Sequence, residues 1–167
     1  MQMRPFEAVV DEEGPVVWRV CRSMLGPADA EDAWSETFLA ALGAYPGLPP
    51  GSNVRGWLVT IAYRKAVDGL RARNRRAEPW AEPPERAAAS PPGRHEHAEL
   101  LDALAGLPPK QQACVVLRHL GDLPYDEIAT QLGISPAAAR RNTADGIAAL
   151  RRNPMLQPNA DLEVTPR

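Results

Sequence analysis

The sequence has little of what a β-sheet protein or a membrane protein needs. Aromatic residues make up 5% of its 167 residues, and no run alternates between apolar and polar side chains as a half-buried strand does. No apolar run approaches the roughly 18 residues of a membrane-spanning helix. The first residues also lack the basic and then apolar order of a secretory signal peptide. These absences favour an all-α protein without a membrane span.

Cysteine is also scarce, and the sequence shows no pattern of catalytic or metal-binding residues. Cys21 and Cys114 each stand among apolar residues, which predicts two buried thiols in a reducing cytoplasm rather than a disulfide. His95 and His97 flank Glu96, but no Cys-x-x-Cys pair accompanies them. No phosphate-binding glycine loop or nucleophile triad occurs. We therefore expect no enzyme activity, no metal and no cofactor.

The charge is unevenly distributed, although the net charge is only −2. Residues 1–50 carry eight acidic and three basic side chains. Two later segments are basic, and their positive side chains are Arg55, Arg64, Lys65, Arg71, Arg73, Arg75 and Arg76 in the first and Arg140, Arg141, Arg151 and Arg152 in the second. Two basic segments in an acidic chain indicate two contacts with a polyanion. The alternative is that these arginines only solvate helix faces.

Apolar periodicity predicts three helices in the first half, at about 5–25, 28–44 and 54–75. Gly14-Pro15 is expected to break or kink the first of them. Leu42 is expected on the apolar face of the second helix. Proline-rich residues 45–53 predict a loop, and the aperiodic stretch that follows the third helix predicts a flexible linker.

Four more helices are predicted in the second half, and the last two have the pattern of a helix-turn-helix. Gly133 can adopt positive φ and end one helix. Ser135-Pro136 then caps the next helix, and Ala129 is small where the two must cross. An ordinary helical hairpin is the alternative. The predicted fold is two all-α domains, 1–76 and 98–152, with a flexible linker at 77–97 and a disordered tail at 153–167.

Three motifs, in their order and spacing, resemble the extracytoplasmic-function sigma factors of bacterial RNA polymerase. They are Ala-Glu-Asp-Ala-Trp-Ser-Glu-Thr-Phe-Leu (30–39), Val-Arg-Gly-Trp-Leu-Val-Thr-Ile-Ala-Tyr-Arg-Lys-Ala-Val-Asp-Gly-Leu-Arg-Ala-Arg (54–73) and Leu-Pro-Pro-Lys-Gln-Gln-Ala-Cys-Val-Val-Leu-Arg (107–118). The resemblance implies sigma domain 2 followed by sigma domain 4. It implies a transcription initiation factor whose partners are core RNA polymerase, promoter DNA and, as in most relatives, an anti-sigma factor.

The resemblance also assigns roles within the first domain. Asp32, Ser35 and Glu36 share one helix face and would bind the clamp helices of polymerase. A pocket for a flipped base of the −10 element would lie in the loop at 45–53, where Tyr45 can stack and Asn53 can hydrogen-bond. The positive side chains of the first basic segment would neutralise phosphates as the promoter melts.

The second domain would read the −35 element as duplex. The candidate contacts are Ser135, Ala137, Arg140, Arg141 and Asn142, with Arg140 able to bind guanine in bidentate fashion. Ala139 and Thr143 are smaller than the side chains usual in the family, and Asp145 would repel phosphate. Two alternatives therefore stay open: a degenerate sigma-like protein that mainly binds polymerase or an anti-sigma factor, and a stand-alone helix-turn-helix regulator.

Overall fold

The structure, a computed structural model, describes residues 3–76 and 97–157, and every regular element in those two ranges is helical. The all-α prediction, with three helices followed by four, is confirmed. The α-helices are α1 (Phe6–Leu25), α2 (Pro27–Ala44), α3 (Val54–Arg76), α4 (Ala98–Ala105), α5 (Pro109–Val115), α6 (Tyr125–Leu132) and α7 (Pro136–Arg152). None of the described helices is long and apolar enough to cross a membrane.

Helix α1 runs without interruption through Gly14 and Pro15, so the predicted break is wrong. Proline removes the hydrogen bond to the carbonyl four residues earlier, here that of Asp11, which is exposed and open to water. The Trp34 indole also donates a 3.0 Å hydrogen bond to the Gly14 carbonyl. A Cβ atom at Gly14 would lie 3.5 Å from the Trp34 ring. Contact with α2 therefore supports this stretch of α1.

The first three helices enclose a core of valine, alanine and aromatic side chains. Phe38 of α2 lies between Phe6 and Trp34, with ring centroids 6.3 and 4.7 Å away. One charged side chain is also buried. The carboxylate of Glu13 accepts a 2.8 Å hydrogen bond from Arg55 of α3, which neutralises it where α1 and α3 pack.

The last four helices form a second bundle, in which α5 continues into a π-helical segment, Val116–Leu120. Helices α5 and α7 cross closely at Gly146, where a Cβ atom would lie 2.6 Å from Val115 Cγ2. The tail predicted to be disordered from Asn153 begins with a 3₁₀ turn, Pro154–Leu156, and Leu156 packs on this bundle. The linker predicted at 77–97 lies outside the described residues except for His97, as does the tail beyond residue 157.

The two bundles pack against each other, and a single apolar cluster contains buried residues of both. The Gln112 amide donates a buried 2.7 Å hydrogen bond to the Ser23 carbonyl. Around this contact, Leu123 of the second bundle lies against Gly56 of α3, and Gly121 lies against Val59. As a result α3 is buried on two sides, one against α1 and α2 and the other against the second bundle.

Candidate functional site

The acidic residues predicted to bind polymerase lie on an open face of α2. Asp32, Ser35 and Glu36 are all exposed. The same face continues with two apolar side chains, Leu39 at 69% exposed and Leu42 at 53% exposed. We call these five residues the α2 face. Their spacing of three and four residues aligns them along one side of the helix.

The sequence did not reveal Leu39 as a surface residue, and the inward placement of Leu42 is wrong. The inner side of α2 is instead built from small residues and Phe38. Large side chains left exposed together on one helix face often mark a protein–protein contact. A signal was available: both leucines follow the acidic residues at helical spacing.

The positive side chains of the first basic segment divide into two groups. Arg55 is paired with Glu13, a hydrogen bond that raises the pKa of the Arg55 guanidinium. Arg73 donates to the Leu25 carbonyl at 2.7 Å and also binds Asp29. The remainder form no ion pair with any described residue and extend along α3, exposed except for a half-buried lysine: Arg64, Lys65, Arg71, Arg75 and Arg76.

The two residues nominated to hold a flipped base have structural roles instead. Tyr45 is 8% exposed, its hydroxyl donates to the Arg4 carbonyl at 2.9 Å, and its ring lies 5.3 Å from that of Phe6. That ring is therefore not available to stack on a base. Asn53 caps α3, because its side-chain oxygen accepts from the Gly56 amide at 2.9 Å. Trp57 is partly buried with its ring 6.4 Å from Tyr45, consistent with a place in the core.

The predicted helix-turn-helix is present, and its turn has the expected chemistry. Gly133 has a φ of 64°, and the Ile134 amide donates to the Ala129 carbonyl at 3.1 Å, as in a Schellman motif. The Ser135 hydroxyl then accepts from the Ala138 amide at 3.1 Å and caps α7. Ala129 is buried at the crossing, as its size suggested.

The candidate reading residues occupy the first two turns of α7. Ala137, Arg140 and Arg141 are exposed. Asn142 is half-buried, and its amide donates to the Ala138 carbonyl at 2.9 Å, so the exposed arginines are the better placed of the set. Asp145, one turn after Arg141, is also exposed.

A residue that the sequence did not nominate orients one of these arginines. The guanidinium of Arg140 lies 5.3 Å from the centre of the Tyr125 ring, and that of Arg118 lies 4.9 Å from it. Arg118 is itself held by a 3.0 Å hydrogen bond to the Leu123 carbonyl. Cation–π contacts of this kind are attractive, so Tyr125 limits where the Arg140 side chain can go.

The thiols are buried as predicted. Burial raises the pKa of Cys21 to about 12 and also raises that of Cys114. Three potential metal ligands do not come together anywhere in residues 3–76 or 97–157. Of the histidine pair, His97 is exposed just before α4, and His95 lies outside the described residues.

Comparison with known proteins agrees with this layout. The sigma-70 region 2 family matches residues 9–76, and the sigma-70 region 4 family matches residues 97–150. RNA polymerase sigma factor CarQ of Myxococcus xanthus is 34% identical over 79% of this chain and 78% of its own length. ECF RNA polymerase sigma factor SigE of Mycolicibacterium smegmatis is 31% identical over 89% of this chain and 61% of its own length.

The fold is also that of a solved sigma factor. The structure of RpoE from Bartonella quintana, in complex with the anti-sigma factor NepR, superposes with a TM-score of 0.65 at 18% identity, over 87% of this chain and 94% of that one. The family matches, the identity to CarQ and the two helical regions lead to one assignment. The chain belongs to the extracytoplasmic-function sigma factors, transcription initiation factors that act with core RNA polymerase at promoters.

Proposed function

We propose that this chain docks on core RNA polymerase through the α2 face, contacts the −10 element along α3, and contacts the −35 element through α7. Sigma domain 2 then corresponds to 1–76 and sigma domain 4 to 98–152. The protein works in the cytoplasm, and it supplies no catalytic group of its own. The observation that carries the proposal is the exposed combination of two carboxylates and two leucines on the α2 face.

The α2 face has the composition of a docking surface. Asp32 and Glu36 supply negative charge that can align with basic side chains of a partner. Leu39 and Leu42 supply apolar area, which is the part of an interface that gains most from being removed from water. The face has no internal ion pair among the described residues, so docking need not break one.

The exposed basic side chains of α3 suit a melted −10 element. Because Arg55 and Arg73 are held by intramolecular contacts, the phosphate contacts fall to Arg64, Lys65 and Arg71 and to the pair at the end of the helix. Removing one phosphate-binding side chain should lower the slope of log affinity against log salt by about 0.7 for single-stranded DNA. Arg64→Gln should therefore change the salt slope, and Arg73→Gln should change it less.

On α7, Arg140 and Arg141 are placed to meet base edges and phosphates of the −35 duplex. The solved relatives that this fold matches include complexes with anti-sigma factors NepR and CnrY. We extend that partner class to this chain, and either bundle offers exposed helix faces to such a partner.

Transcription with purified core polymerase on a promoter library, with and without this chain, tests the proposal. Asp32→Arg with Glu36→Arg should abolish binding to core polymerase and promoter-specific initiation. The matched control is Glu7→Arg with Asp11→Arg, which reverses two exposed carboxylates at the same spacing on α1. Circular dichroism checks that both variants fold.

Each result of this experiment points to a different conclusion. Loss of core binding in the α2 variant alone supports the interface. Equal core affinity in both variants would show that the α2 face is misassigned. Polymerase binding without initiation would favour a degenerate sigma-like protein, and duplex binding without any association with polymerase would favour a stand-alone regulator.

A further inference from the structure

The two halves of the chain are joined by specific contacts that link its two proposed DNA-binding elements. The side-chain amide of Gln131, on the first helix of the helix-turn-helix, donates a 2.9 Å hydrogen bond to the hydroxyl of Thr60 on α3. A second contact joins Arg22 of α1 to Asp102 of α4 at 2.9 Å. These bonds hold α3 and the helix-turn-helix side by side.

The centre of this interface is buried and polar. Gln112 is buried, and its amide bonds the Ser23 carbonyl, which belongs to a fully buried residue. A buried amide left without a partner is costly, so this bond favours one relative arrangement of the two halves. A loose collapse of two bundles would not require it.

The apolar part of the interface fits closely. A Cβ atom at Gly56 would lie 2.7 Å from a methyl group of Leu123, and one at Gly121 would lie 3.0 Å from a methyl group of Val59. Each glycine thus opens a notch that a side chain of the other half fills. The interface also covers Cys114, whose thiol adds to the main effect of burial in raising the pKa of Tyr63 on α3.

This arrangement is too compact for a promoter with two contacts. Elements near positions −10 and −35 are centred about 25 base pairs apart, or roughly 85 Å of duplex at 3.4 Å a step. Helices α3 and α6 cannot be separated by that distance while Thr60 and Gln131 are hydrogen-bonded. The connection formed by residues 77–96 can extend to at most about 70 Å, so the halves can separate without unfolding a helix.

We propose that the packed arrangement is a self-inhibited state of the free chain, which must open before both promoter elements can be bound together. The inference rests on the proposed function. It acts through distance rather than by covering the DNA-binding residues, since Arg64 and Arg140 stay exposed. A closed chain therefore still binds a −35 duplex alone, and it fails only where the two elements must be spanned.

A reversible lock tests this state in the full chain. Thr60→Cys and Gln131→Cys are combined and joined with a short bis-maleimide that carries a disulfide in its spacer. The native thiols are buried, and the chain without the two substitutions, treated identically, measures any reaction at them. We expect an intramolecular cross-link, unchanged affinity for an isolated −35 duplex, and loss of initiation from a two-element promoter. Reduction of the spacer should restore initiation.

The outcomes separate this inference from the proposed function. If no monomeric cross-link forms, or if the locked chain initiates as well as the reduced one, the self-inhibited state is refuted. If the reduced chain stays inactive while the untreated wild type initiates, the inference also fails, because the interface residues would then be needed for initiation itself. If the wild type never initiates, the proposed function fails, and the closed state is judged by the cross-link alone.

A second measurement reports opening without any DNA. Asp102→Arg places two positive charges together at the Arg22 contact and should speed alkylation of Cys114 by roughly twofold to fivefold, the range expected for an exposed ion pair. Arg22→Asp added to Asp102→Arg restores the pair and should restore slow alkylation. Cys21, within the first bundle, should react equally slowly in all three chains. An unchanged Cys114 rate in Asp102→Arg would count against a closed state held by this interface.

Discussion

The Nε atom of Arg55 donates a 2.8 Å hydrogen bond to the carboxylate of Glu13, which is buried at the contact of α1 and α3. The pair turns a basic residue of the proposed DNA-binding helix into a structural one. Glu13 would otherwise be an unpaired negative charge in an apolar setting. The two residues are 42 positions apart, so neither local pattern announces the other.

Arg55→Leu should lower the free energy of unfolding by about 1–3 kcal/mol, because a buried acceptor loses its donor. The lower end applies if water reaches Glu13 through the half-exposed position of Arg55. Urea denaturation measures the change, and Arg64→Leu, an exposed residue on the same helix, should shift stability by less than about 0.5 kcal/mol. Glu13→Leu combined with Arg55→Leu should recover most of the loss. Equal effects of the two single arginine variants would contradict the pairing.

Two glycine-to-alanine changes should alter stability in opposite directions. Gly146→Ala places a methyl group 2.6 Å from Val115 Cγ2 at the crossing of α5 and α7, and overpacking of this kind costs about 1–3 kcal/mol. Gly43→Ala, exposed on α2 with nothing within 4 Å, should add about 0.5 kcal/mol through helix propensity. Thermal unfolding of both variants tests the pair. A stabilising Gly146→Ala would mean that the helices can separate there at no cost.

Asp145→Asn should strengthen binding of the −35 duplex. Removing one negative charge near the phosphates is worth up to ~1 kcal/mol in water, which corresponds to about a twofold to fivefold gain in affinity. The gain should shrink at high salt. Fluorescence anisotropy with a labelled duplex measures it, and Glu99→Gln, an exposed acid on α4, is the control. No gain would indicate that this side of α7 faces away from DNA.

Stability should fall at alkaline pH through Cys21. Burial raises its pKa from 9.0 to about 12, so the native thiol keeps a proton that the unfolded chain releases near pH 9. The stabilisation is complete below pH 9 and is lost as the pH rises toward 12, with a slope of at most ~1.4 kcal/mol per pH unit. Cys21→Ala should be less stable near neutral pH but show a shallower decline. Parallel stability curves for the two proteins would disprove this role.

Tyr125→Leu should weaken −35 binding by about twofold to fivefold, since an exposed cation–π contact is worth about 0.5–1 kcal/mol. Tyr125→Phe keeps the ring and should keep most of the affinity. The decisive comparison is made in an Arg140→Ala background, where Tyr125→Leu should have no further effect on binding. A loss of the same size in that background would show that Tyr125 acts on DNA or on the fold independently of Arg140.

The features that the sequence predicted correctly are local ones. The helix-turn-helix depends on Gly133, Ser135 and Pro136, whose backbone preferences act within a few residues. The exposed α2 carboxylates follow from helical spacing alone. Helix boundaries and the order of the elements could be read for the same reason.

The features that it predicted incorrectly depend on contacts between distant segments. Tyr45 sits in a proline-rich loop that suggests exposure, but Phe6 and the Arg4 carbonyl hold it in the core. Val59 and Gly56 lie on a side of α3 that periodicity leaves unassigned, and they are buried by the second bundle. Pro15 suggests a break that packing against Trp34 overrides.

The π-helical segment at Val116–Leu120 has a consequence for how this sequence tolerates insertions and deletions. The Gly121 amide bonds the Val116 carbonyl five residues back, so the turn holds one residue more than an α-helical turn. Deleting one residue there would let α-helical geometry continue and would rotate everything after it by about 100°. Gly121 would then lose its place against Val59. Length variants at this turn should therefore change how the two halves meet while leaving the helix-turn-helix itself intact.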